Sequence, residues 1–170
     1  MHRADQAFEV IRYVRILFRQ PFEISNRKTT DMHDSYDIKL SHPADFRVRY
    51  RFYTKEEGGR SSLPFQGYRC DFWYDHGNET ENQLFMIWPE FENTDGQVIF
   101  QIDCPVPLSG IARMWIVIPE RRPYHSRKIK LGLLGYFMEG GKKVAECEVI
   151  ELVGLLNNPI KRENSDIINK

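Results

Sequence analysis

A chain of 170 residues, 41 % apolar and 28 % charged, can bury a core without disulfides or metal and has an ordinary globular composition. Its 24 basic and 24 acidic residues cancel, which excludes a uniformly basic nucleic-acid binder and requires any such site to come from local segregation of charge. Three cysteines, Cys70, Cys104 and Cys147, have no Cys-x-x-Cys spacing and read as reduced, largely buried thiols of a cytoplasmic protein.

In chain order, residues 5–20 place Ala7, Phe8, Val10, Ile11, Val14, Leu17 and Phe18 at helical spacing, with Arg12, Arg15 and Arg19 on the other side. Asp5 caps this expected helix and Pro21 stops it. The arginines interrupt the apolar run, so neither a signal peptide nor a membrane span is expected. Residues 22–43 are polar and read as a loop to a domain boundary. Phe46–Phe52 alternates strictly: Phe46, Val48, Tyr50 and Phe52 point one way and Arg47, Arg49 and Arg51 the other. The arginine row suits either cross-strand partners for acids or a track for phosphates. Gly58-Gly59 supplies a turn leaving that strand.

Further strands are expected at Cys70–Tyr74, Gln83–Trp88, Gln97–Asp103, Ala112–Ile118, Lys130–Phe137 and Lys143–Val153, separated by loops rich in Gly, Asn, Asp and Pro. Many short strands argue for an all-β, closed or sandwiched antiparallel architecture. From Asn157 to Lys170 the chain is polar and reads as a flexible tail.

Catalytic signals are weak. No Gly-rich loop ends in Gly-Lys-Ser/Thr, so no nucleotide cofactor is expected. The five histidines, His2, His33, His42, His76 and His125, show no zinc-ligand spacing, and His33 reads as an exposed loop residue. Cys70 lacks an identifiable histidine base. Glu56-Glu57 and Glu90/Glu92 read as solvated acids rather than acid–base pairs. The expectation is a protein that is not an enzyme and carries no metal or cofactor.

Three blocks stand in order: Lys55-Glu56-Glu57-Gly58-Gly59-Arg60 with Pro64-Phe65; Tyr68-Arg69-Cys70-Asp71-Phe72; and Met138-Glu139-Gly140-Gly141-Lys142-Lys143-Val144. Over 44–153 the chain thereby resembles the third domain, the C-terminal β-barrel, of translation elongation factor Tu, without the GTPase domain. The resemblance implies a closed antiparallel barrel of about six strands, preceded by a helix and linker over 1–43 and followed by a tail over 154–170. It implies RNA contacts at Arg60, Thr80, Arg122, Glu139 and Gly140, with Asp71 a departure where the family has glutamine. The basic segment 121–130 adds Arg127 and Lys128, interleaved with Tyr124 and His125 in a manner suited to phosphate binding with stacking. The implied function is a non-catalytic, stand-alone module binding tRNA-like or other structured RNA. The alternative is a protein-interaction or decoy module engaging translation-factor proteins.

Overall fold

The computed structural model describes residues 32–75, 77 and 83–161. The expected helix over 5–20 and the candidate residue Thr80 lie outside these residues. Six strands form one antiparallel sheet: β1 Phe46–Phe52, β2 Asp71–Tyr74, β3 Ile87–Phe91, β4 Ser109–Ile116, β5 Leu134–Glu139 and β6 Lys142–Leu152. Their spatial order is β2-β5-β6-β1-β4-β3. Among the described residues two short helices are present, α1 Tyr36–Leu40 and α2 Arg122–His125, the latter entered through a 3-10 turn at Pro119–Arg121. Helix α1 lies inside the segment read as loop.

Strand β1 lies inside the sheet, paired with β4 along one edge and β6 along the other. Phe46, Val48, Tyr50 and Phe52 are buried, and they join Phe72, Tyr74, Phe91, Met114, Phe137 and Val149 in one core. Each such side chain contributes about 1.5–3 kcal/mol by leaving water. The glycines of β4 and β5 make room: Gly110 faces the Tyr50 ring, and a Cβ on Gly135 would stand 2.4 Å from Cζ of Phe72. At the β5–β6 hairpin Gly140 carries φ +57, the left-handed backbone that such a two-residue turn requires.

The sheet curls but does not close, which corrects the expected barrel. Edge strand β2 meets the segment just before β3 through an isolated bridge: Phe72 and Phe85 exchange N–H···O bonds of 2.8 and 3.0 Å. Beyond it a side chain stands in for a strand. Gln66 Oε1 accepts the Phe91 N–H at 3.0 Å and Gln66 Nε2 donates to the Phe91 carbonyl at 3.2 Å. Strand β2 is only four residues long, and β3 contains Pro89, which lacks an N–H and is tolerated on an edge. The strand expected over Gln97–Asp103 is reduced to isolated bridges, Glu92 with Val98 and Met32 with Gln101.

The chain after β6 also differs from expectation, in that it docks back on the sheet through Leu155 and Asn158. Leu155 is 2 % exposed, and its N–H donates to the Asp45 carbonyl at 2.9 Å. Asn158 is buried and donates to the Pro43 carbonyl and to Asp45 Oδ1, each at 2.9 Å. Gly154 permits this, since a Cβ there would stand 2.4 Å from the Asn158 amide.

Candidate functional site

Strand β1 runs from one end of the sheet to the other, about 20 Å at 3.4 Å per residue. Register separates the candidate residues between those ends. Phe52 pairs with Ala145 beside the β5–β6 turn, whereas Phe46 pairs with Leu152 and Met114. Arg60, Glu139 and Gly140 gather at the turn end. Arg122 lies at the opposite end, by Asp45 and Ile116, and Arg127 and Lys128 follow it in the loop leading to the start of β5.

At the turn end, Thr54 and Lys55 accept the N–H groups of Gly59 and Gly58 at 2.7 and 3.1 Å. Gly58 has φ +85. Gly59 is held so close to the preceding strand that a Cβ would stand 1.9 Å from the Tyr53 carbonyl oxygen. This loop presents Arg60, whose guanidinium pairs with Glu139, lies 5.1 Å from the Tyr68 ring centroid and donates through Nε to the Ser62 carbonyl at 3.1 Å. Burial pushes the Tyr68 hydroxyl's pKa up, which keeps it protonated, and it donates to Glu139 Oε1 at 2.7 Å. Lys142 Nζ donates to the Gly59 carbonyl at 2.8 Å and ties the loop to the hairpin. Nothing would meet a Cβ on Gly140 or Gly141 within 4 Å, so this turn is open to a ligand.

At the other end Arg122 is 1 % exposed and is not available to an external phosphate. Its Nε donates to Asp45 Oδ1 at 2.7 Å, its Nη2 to Ile116 O at 3.2 Å and to His42 Nε2 at 2.8 Å, and its Nη1 to Pro159 O. Because arginine only donates, His42 Nε2 is the acceptor, and its Nδ1–H donates to the Pro43 carbonyl at 2.7 Å. Asp45 also accepts the Ile116 N–H at 2.7 Å. The expected stacking pair faces inward too: His125 is buried with its Nδ1 2.8 Å from Tyr74 Oη, and Tyr124 packs on Phe85. Burial, helped by the Arg121 charge, pushes His125 down to about 4. Arg127 and Lys128 are exposed.

The arginine row of β1 meets carboxylates. Arg47 bonds Glu92 and Glu151, both at 2.6 Å; Arg49 bonds Glu148 at 2.9 Å; Arg51 bonds Glu146 at 2.8 Å and Glu57 at 2.9 Å. Glu92 also holds Arg113 at 2.8 Å. Glu90 and Glu92 are therefore not the solvated acids expected: both are buried. His33, read as exposed, is buried instead, with its Nε2 2.7 Å from Glu90 Oε1, which also accepts the Tyr36 N–H at 2.8 Å. These contacts fasten the segment before β1 onto β3. Cys70 and Cys147 are buried, with thiol pKa values raised by that burial, and Cys104 is exposed.

Among the described residues no group of three or more His, Cys, Asp or Glu is arranged to hold a metal, and no helix is long and apolar enough to cross a membrane. Sequence reasoning missed Tyr68 and Lys142 as members of the turn-end cluster. Their signal was proximity to Arg60 and Glu139 within the quoted blocks. No family model matches the chain, and no curated protein matches it.

Proposed function

We propose that this chain is a non-catalytic module that binds structured RNA through the turn end of its sheet, as its resemblance to the third domain of elongation factor Tu implies. The observation that supports this reading is the meeting of Arg60 with Glu139 beside the open Gly140-Gly141 turn, although the two blocks are distant in sequence. The chemistry is compatible. A partly exposed ion pair is worth at most about 1 kcal/mol, so a phosphate can compete with Glu139 for Arg60. The released carboxylate accepts a ribose 2′-hydroxyl, a group that DNA lacks. The test is filter retention of bulk tRNA and of a matched DNA hairpin at two salt concentrations. Salt-sensitive retention that Arg60→Ala weakens, with the RNA preference reduced in Glu139→Gln, is the expected result. Absence of retention at low salt removes the reading.

A protein-interaction module is the second reading. It is favoured by the internal neutralisation of Arg47, Arg49, Arg51 and Arg113, which leaves the outer face of β1 and β4 little attraction for phosphates. Purified translation-factor proteins, titrated against the chain after RNase treatment, test it; saturable binding is expected, and its absence counts against those partners.

A further inference from the structure

The outward face of β4, β1, β6 and β5 has a regular order of side chains. Register gives one row as Ser109, Arg51, Glu146, Tyr136, and the next as Ile111, Arg49, Glu148, Leu134. Each row reads from a small or aliphatic residue, through a cation and an anion, to a large apolar residue. The seam between β1 and β6 thus divides a positive column from a negative one, with Ser109 and Ile111 outside the first and Tyr136 and Leu134 outside the second. A groove of about 590 Å³ runs over these same residues, and Leu134 is 62 % exposed on its wall. Beside Tyr136 lies Trp73, their ring centroids 5.8 Å apart, and Lys143 Nζ stands 3.6 Å from the Tyr136 centroid as a cation at the edge of this face.

We infer that this face docks on a second copy of the same chain, about a two-fold axis running along the β1–β6 seam. Such a rotation exchanges the two sides of the seam and keeps each row at its own height. Arg51 of one copy then stands over Glu146 of the other, and Arg49 over Glu148. Leu134 comes over Ile111, and Tyr136 comes over Ser109, the smallest outward residue of the two rows. A two-fold axis across the strands would instead set arginine on arginine. The complementarity is therefore specific to one arrangement, as an isologous interface requires. The ion pairs already formed within each copy become alternating four-charge clusters.

The patch is modest. With strands about 4.8 Å apart and outward residues about 7 Å apart along each strand, the two rows cover roughly 270 Å² per copy, about a third of a standard interface. The dimer is accordingly a weak, concentration-dependent one. It uses neither Arg60 nor the Gly140-Gly141 turn, so it stands or falls separately from RNA binding.

Sedimentation velocity from 10 to 500 μM (about the range a weak interface needs) tests the proposal. Wild type is expected to shift from monomer toward dimer, with Leu134→Asp weakening the dimer at least tenfold. Arg49→Glu and Glu148→Arg, each alone, set like charges opposite one another across the two-fold axis and should be monomeric. Mixed together, the two variants restore both cross-pairs and should form a one-to-one heterodimer. Far-UV circular dichroism and a thermal melt establish that each variant is folded. Wild type that stays monomeric at the highest concentration overturns the proposal. So does a mixture that stays as monomeric as its folded components.

Discussion

The two ends of the sheet use the same chemistry, an arginine paired with a carboxylate, in opposite settings. Arg122 and Asp45 are both buried, and every part of the guanidinium has an acceptor, including two backbone carbonyls. Arg60 and Glu139 are partly exposed beside a turn with open space around its glycines. Burial makes the first pair a structural clamp: removing one charge leaves the other uncompensated in a low-dielectric interior. Exposure makes the second pair exchangeable, because water and external anions compete for the same donors. Formal charge and proximity to a glycine or proline turn do not distinguish a clamp from a contact; solvent access does.

The largest expected effect tests the clamp. Arg122→Ala leaves Asp45 buried with its Ile116 and Asn158 donors but no cation, and should cost about 3–5 kcal/mol. Urea unfolding measures it, and a cost below about 1 kcal/mol would equate this end with an exposed pair. The next effect comes from the same end. Burial sets His125 near 4 in the folded state, against about 6.5 when unfolded. Between those values the unfolded chain binds the proton and the folded chain does not. Stability is therefore intact above about pH 6.5 and falls as pH drops toward 4, by roughly 3 kcal/mol for this residue. Unfolding midpoints across that window, compared with those of His125→Gln, isolate the term; equal slopes would show that His125 takes no part.

This contrast also explains what the sequence could report. Strand β1 was legible over its whole length, because alternation needs only neighbouring residues: Phe46 to Phe52 declares both faces at once. The strand expected over Gln83–Trp88 is shifted in the structure to Ile87–Phe91, whose edge position tolerates Pro89. The turn end was legible as well, since Gly58-Gly59 and Gly140-Gly141 mark local backbone needs. The clamp was not. Nothing local to Arg122 separates it from Arg127 in the same basic run; its burial depends on Asp45 and Pro159, each distant in the chain. The same distance hid the docking of Leu155 and Asn158, and the burial of His33 against Glu90.

A smaller effect concerns the backbone that presents the exposed pair. Gly59→Ala drives a Cβ against the Tyr53 carbonyl and should cost about 1–3 kcal/mol as the loop shifts. Gly140→Ala meets no neighbour but must hold φ +57, which costs about 1–2 kcal/mol. Thermal unfolding of the two variants separates crowding from backbone strain: relieving space by Tyr53 movement can help the first and not the second.

The smallest stability change should be the most informative. Arg60→Ala removes a partly exposed pair and a cation–π contact, so its cost in stability should stay within about 1 kcal/mol. If Arg60 also contacts one phosphate, the same substitution lowers tRNA affinity and reduces the slope of log K against log salt by about 0.7–0.9. A small stability change with a reduced salt slope would identify the exposed arginine as a ligand contact. A large stability change with an unaltered slope would make Arg60 a second clamp, and the distinction between the two ends would disappear.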